Sequence, residues 1–192
     1  MEQHRSLLAR VSFFCFLVYY QSMKILKEIS EGSLGLSEEF EKFGSPYELR
    51  KSARAILLNE KGEMATQYLQ TYTYHKLPGG GVDQGENIED ALKREVLEEV
   101  GCQCEITRPV GITIEYRNKY KMIHISYCFV AKIVGEIGKP KLEEGEIEEG
   151  HETLWLMPSK VLEKMNSDIP GKFEGHFILE REKAFLEEFL KS

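Results

Sequence analysis

Three glutamates follow one arginine in the stretch Arg94-Glu95-Val96-Leu97-Glu98-Glu99. On a helix Glu95 and Glu99 lie one turn apart and Glu98 falls three residues after Glu95, so the carboxylates share a face. That face adjoins an apolar stripe of Ile88, Leu92, Val96 and Val100, which puts it at the edge of a core. Like charges at this spacing destabilise a helix, and partly dehydrated carboxylates do not all stay ionised without a compensating cation. Arg94 reaches Glu98 at i, i+4 and offsets one charge. The remainder suits a hard divalent cation with oxygen ligands, and magnesium prefers one or two carboxylates completed by water and substrate phosphates. An acidic helix face is commonly no more than solvated surface. Here the spacing to a glycine loop, LPGGG at 77–81, and to Glu86 weighs against that.

The elements that must position these groups can be read from pattern. Asn87 caps a helix with Asp90 three residues on, and Gly101 supplies its left-handed stop. Before it, residues 52–70 alternate in polarity around an Asn59-Glu60-Lys61-Gly62 turn, which reads as a hairpin. After it come strand-like runs at 105–117 and 122–134, an acidic loop at 141–152, a strand at 153–157, a helix from Pro158 to about Met165 and an amphipathic helix at 176–192. Residues 23–50 carry Gly32, Gly35, Gly44 and Pro46, and read as an irregular lead-in with one short strand or helix. Residues 1–22 contain a ten-residue apolar run, Val11 to Tyr20, too short to span a bilayer and lacking a small-residue cleavage site. Met23 opens a more conventional start, so the reading is an N-terminal extension outside the natural chain, followed by the lead-in and a domain over 51–192.

The bulk properties narrow the function. The 192 residues suit one domain, and a formal net charge of −7 excludes a general binder of nucleic-acid polymers or anionic membranes. If the protein handles phosphates, metal cations mediate the contact. Four cysteines (Cys15, Cys102, Cys104, Cys128) offer no zinc-site spacing and read as reduced thiols packed as small hydrophobes.

The spacing Gly80, five residues, Glu86, seven residues, then Arg94-Glu95-Val96-Leu97-Glu98-Glu99-Val100-Gly101-Cys102 resembles the Nudix box, G-x5-E-x7-R-E-U-x-E-E-x-G-U with U aliphatic. Every fixed position matches; Cys102 stands where an aliphatic residue is usual. The resemblance implies an α/β fold, an α/β/α sandwich with a mixed sheet and a loop-helix-loop catalytic segment. It also implies that Glu95, Glu98 and Glu99 ligate Mg2+, or Mn2+, together with the carbonyl of Gly80 or Gly79. Arg94 would orient the glutamates and Glu86 would brace the loop against the helix. A further carboxylate from the 143–149 stretch, Glu146 or Glu149, would complete the site, against the alternative of a solvated acidic loop with no ligand.

The implied reaction is hydrolysis of a nucleoside diphosphate linked to a second moiety. The nearest likeness is to proteins that clear oxidised nucleotides, which suggests a nucleoside triphosphate cut to monophosphate and pyrophosphate. Tyr74, His75, Tyr116 and Trp155 are the candidates for substrate contact, against the alternatives that Trp155 is core and that His124 is a buried structural histidine. Other readings are a pyrophosphatase for ADP-ribose, nucleotide sugars or dinucleotides, and a Nudix-like sensing module without catalysis, which an intact box disfavours. The expected setting is a cytoplasmic monomer or homodimer acting on a small nucleotide, with no polymer or membrane partner.

Overall fold

The computed structural model describes residues 23–36 and 46–192; the Val11–Tyr20 run and Cys15 lie outside the described residues. Seven strands form one mixed sheet: β1 (Ile25–Ser30), β2 (Glu48–Leu58), β3 (Met64–Leu69), β4 (Tyr74–Lys76), β5 (Gln103–Arg117), β6 (Met122–Val134) and β7 (His151–Leu156). The helices are α1 (Ile88–Glu99), α2 (Glu144–Glu149), α3 (Pro158–Ser167) and α4 (Phe173–Leu190). The order β1-β5-β6-β2 turns a corner at the Leu58–Met64 pair into β3, which β4 and β7 flank. β1 runs parallel to β5 and β2 parallel to β6, while β5 and β6 are antiparallel. The lead-in therefore supplies β1 and the first residues of β2 to the main sheet.

The corner works because Asn59 organises its own turn. Its Oδ1 accepts from the Lys61 and Glu63 N–H groups, and Gly62 adopts a φ of 77°, which suits glycine.

β2 separates two cores by its alternation. Ala53, Ala55 and Leu57 pack with Ala91, Leu92, Val96 and Val100, so small side chains let α1 lie close on one face. Ile56 faces the other way, against Val161 and Met165 of α3 and Leu179, Phe185 and Leu186 of α4. The result is the α/β/α sandwich with a mixed sheet that the sequence implied. Cys102, Cys104 and Cys128 are buried free thiols in these cores. Among the described residues no helix is long and apolar enough to cross a membrane.

The stretch at 144–149 is a helix where a loop was expected. Glu143 and Glu146 cap each other reciprocally, and Gly150, with a φ of 68°, ends it.

The α4 side of the sheet also holds buried charge that amphipathic pattern did not announce. Arg181 donates to Glu115 Oε1 at 2.9 Å and to Glu182 Oε1 at 2.6 Å, and Arg117 donates to Glu115 Oε2 at 2.6 Å. Arg181, Glu182 and Glu115 are fully buried. Burial opposes ionisation of Glu115, but Arg181, His124 and Arg117 outweigh it and hold the carboxyl well below its ordinary range. His124 is buried as the structural reading required, its Nδ1 3.6 Å from Glu115 Oε2. Burial pushes its pKa down to about 4, with Arg181 and Arg117 acting in the same direction against the pull of Glu115.

A histidine depressed from 6.5 to about 4 in the folded state is neutral there while its unfolded counterpart charges. The unfolded state then binds more protons, so this stabilising contribution is present above pH ~6.5 and is lost as pH falls towards ~4. His124→Gln is expected to remove a stability change on the order of 3 kcal/mol across that window. Urea unfolding of both proteins at steps from pH 7 to pH 4 checks this; parallel stability curves would contradict it.

Candidate active site

The glycine loop reaches the sheet by backbone pairing: Ala53 N–H donates to Gly80 O at 3.0 Å and Ala55 N–H to Pro78 O at 2.9 Å. One glycine there is sterically required, and a second leaves room for a carboxylate. A Cβ on Gly79, whose φ is 126°, would lie 2.2 Å from Ala53 O, and one on Gly80 would lie 2.4 Å from the Glu95 carboxylate. The loop thus forms a cradle directly over Glu95.

From the loop the chain enters α1 through Asn87, whose Oδ1 accepts from Asp90 N–H at 2.9 Å. It leaves at Gly101, with a φ of 81°. Arg94 sits between loop and helix and binds both. It donates to Glu86 through Nε and Nη2 at 3.0 Å each, to Glu95 at 2.8 Å, to Glu98 at 3.1 Å and to Gly81 O at 2.9 Å. Arg94 holds the Glu86 carboxyl below its usual range, and the Arg94 pKa is itself raised, chiefly by Glu86. This is the positive group that the crowded glutamates demanded.

The three box glutamates have different surroundings. Glu98 is the most open, 37% exposed, with Arg94 as its contact. Glu95 lies under Gly80, and burial followed by repulsion from Glu99 raises its pKa. Glu99 is buried, receiving Lys76 Nζ at 2.9 Å and Gly79 N–H at 2.6 Å. Its burial opposes ionisation, yet Lys76, Gly79 N–H and Arg54 together hold its pKa down. Strand pairing delivers these neighbours, because Gln67 and Lys76 are opposed across β3 and β4, and Gln67 Nε2 donates to Glu99 O.

α2 and β7 bring a second set of groups to Glu99. One ligand atom each from Glu99, Glu146 and His151 lies within 4.8 Å of the others. Burial, with a contribution from Glu99, pushes the Glu146 carboxyl up to about 7. Such crowding of partly dehydrated acidic groups around a nitrogen base fits a divalent cation. Glu95 and Glu98 stand outside this trio, drawn to Arg94.

Of the two glycines expected to offer a carbonyl, Gly80 O accepts from Ala53 N–H, which leaves it one lone pair, and Gly79 meets Glu99 through its N–H. The aromatic candidates are spread over separate surroundings. Trp155 packs against the α1 core, and Tyr74 is buried beneath Gly175. Tyr116 donates to Glu28 at the β1 edge. His75 points off the Lys76 face of β4, with its Nδ1 2.8 Å from Asp168 Oδ2, because successive strand residues alternate. The sequence carries no motif for Lys76, Gln67 or His151, which arrive through strand register; a histidine inside an acidic run, EEGHE, was the available signal for the last.

A sequence profile described as the NUDIX domain matches residues 48–174. The chain belongs to the Nudix family. An 8-oxo-dGTP diphosphatase of Haemophilus influenzae is 35% identical over 99 residues, covering 49% of this chain and 69% of that protein. A putative 8-oxo-dGTP diphosphatase of Bacillus subtilis is 36% identical over 62 residues, covering 32% of this chain and 42% of that protein. The match to the latter therefore spans less than half its length. The solved structure of a NUDIX hydrolase from Nitrosomonas europaea superposes with a TM-score of 0.56 at 17% identity, over 75% of this chain and 90% of that one, and supports the fold.

Replacing Arg94 by lysine keeps the charge but loses the fork that grips Glu86 while reaching Gly81. Arg94→Lys is expected to lower stability by about 1–3 kcal/mol, since charged hydrogen bonds linking two segments are broken. Urea denaturation checks this, and an unchanged midpoint would contradict the clamp.

Proposed function

We propose that this Nudix protein hydrolyses a nucleoside triphosphate to the monophosphate and pyrophosphate with the help of a divalent cation. The observation that carries the reading is the Arg94 clamp. It holds Glu86, Glu95 and Glu98 together beside the buried Glu99, in a chain with too little positive charge to bind phosphates unaided. Glu95, Glu98, Glu99 and Glu146 would hold the metal, Mg2+ or Mn2+. A bound ion of this kind neutralises phosphate oxygens and acidifies water.

The residues divide the remaining work. Gly80 leaves the Glu95 carboxylate room that any side chain would fill. Arg94 and Glu86 fix the loop over the helix, so the site is organised before substrate arrives. Glu98 is the most exposed carboxylate of the three, which supports it as the group that would accept a proton from attacking water. Against the cost of burial, Lys76 is the main group that lowers the Glu99 pKa.

The names of the Haemophilus and Bacillus relatives support a purine triphosphate such as 8-oxo-dGTP. The setting remains a small nucleotide in the cytoplasm, handled by a monomer or homodimer.

Glu98→Gln is expected to lower kcat about 10²–10⁴-fold while the melting temperature stays within a few degrees. Near wild-type turnover in saturating Mg2+ would contradict the role of Glu98. In a panel of 8-oxo-dGTP, dGTP, ADP-ribose and a diadenosine polyphosphate, a triphosphate should have the highest kcat/KM and release pyrophosphate instead of orthophosphate. An advantage of tenfold or more for ADP-ribose or the dinucleotide, about 1.4 kcal/mol, would overturn the substrate.

A further inference from the structure

His151 opens β7 immediately after α2, and its side chain is 1% exposed. Its Nε2 lies 3.0 Å from Glu149 Oε2, and Glu149 is itself paired with Lys172. A carboxylate paired with a lysine is an acceptor only, so Nε2 carries the ring hydrogen and Nδ1 keeps a free lone pair. That Nδ1 is buried and has no hydrogen-bond partner. A buried acceptor without a donor is costly, and a native fold retains one where something else fills the role.

The surroundings of Nδ1 say what that is. Glu146 Oε1 lies 3.9 Å away, too far to be a hydrogen-bond partner. It is within the roughly 4.2 Å that separates two ligands at about 2.1 Å on opposite sides of one ion. Glu99 completes a trio whose ligand atoms lie within 4.8 Å of one another. Lys76 Nζ, 2.9 Å from Glu99 Oε1, already marks the position as one that holds a cation, and its flexible stem allows it to swing aside. Glu149 behind the ring matches the way ligating histidines are held elsewhere, with the distal N–H given to a carboxylate that fixes the tautomer.

We propose that His151 is a nitrogen ligand, through Nδ1, to a divalent ion shared with Glu99 and Glu146, and that this position favours a transition-metal ion over magnesium. The inference rests on the reading of Glu99 and Glu146 as metal ligands and adds the imidazole. Magnesium takes oxygen ligands in near-ideal octahedra, whereas imidazole suits first-row transition ions. Glu149 is then a positioning residue, and Lys172 holds it in turn.

The test is pulsed electron paramagnetic resonance of Mn2+ bound to the full chain without substrate. Wild-type protein should show nitrogen coupling from a directly bound imidazole, replaced by the 15N pattern when histidine is 15N-labelled, a comparison that needs no mutant. His151→Gln should lose the coupling and lower the Mn2+ to Mg2+ affinity ratio at least tenfold by calorimetric titration. Glu149→Gln should weaken Mn2+ binding about 10–100-fold, as loss of a carboxylate behind a ligating histidine does. Mn2+ that binds without nitrogen coupling overturns the histidine ligand and leaves an all-oxygen site standing. Failure of wild-type protein to bind Mn2+ overturns both this inference and the metal-dependent reading beneath it.

Discussion

A single guanidinium ties a glycine loop to the middle of a helix, and the candidate site depends on that tie. α1 carries Glu95, Glu98 and Glu99 within little more than one turn, an arrangement that repels itself. Arg94 resolves it by gripping Glu86 with two donors and spreading the rest over Glu95, Glu98 and Gly81 O. The planar fork makes these contacts at once, which a lysine cannot. Partly exposed pairs of this kind contribute modestly to stability one by one. Their larger effect is geometric: the loop is held so that Gly80 passes directly over Glu95.

The scaffold around the tie is what makes it rigid. Small residues of β2 let α1 sit close to the sheet, and the loop is stitched to Ala53 and Ala55 by backbone hydrogen bonds. The hairpin corner at Leu58 and Met64 swings β3 round so that β4 and β7 deliver Lys76 and His151 to the C-terminal end of α1. On the opposite side of the sheet α4 is anchored by Arg181, bridging Glu115 and Glu182 in the interior. Breaking such a buried pair by removing one partner costs about 3–5 kcal/mol, so the layer resists piecemeal change. Charge is thus clustered on both sides of the sheet, fully buried around Arg181 on one and partly exposed around Arg94 on the other.

Features governed by local spacing were legible in the sequence. The Asn87 cap, the Gly101 stop, the apolar stripe from Ile88 to Val100 and the hairpin turn at Asn59 all depend on residues within a few positions of one another. The Nudix spacing named the family, which the NUDIX-domain match confirms over residues 48–174. What was not legible depends on register between distant strands. Lys76 meets Glu99 because β4 pairs with β3, and His151 and Glu146 are brought to Glu99 because β7 pairs with β3 on its other edge. The same registers send Tyr74, His75 and Trp155 into separate surroundings, and Tyr116 lies apart on β5 beside β1, which residue type alone could not reveal. The helix at 144–149 was hidden for a different reason: a capping box made of Glu143 and Glu146 is chemically indistinguishable from an acidic loop until geometry is seen.

The central claim is that the carboxylates around Arg94 and Glu99 form a site for a divalent cation, and linkage between binding and stability tests it most directly. A ligand that binds the folded state alone stabilises it by about 2.7 kcal/mol at a hundred times its dissociation constant. Calorimetric melting of metal-stripped protein should show the melting temperature climbing with the logarithm of Mg2+ or Mn2+ concentration, at constant ionic strength and without nucleotide, and Glu99→Gln should flatten the climb. A melting temperature indifferent to divalent ions, or one that rises equally in wild type and Glu99→Gln, would contradict the claim.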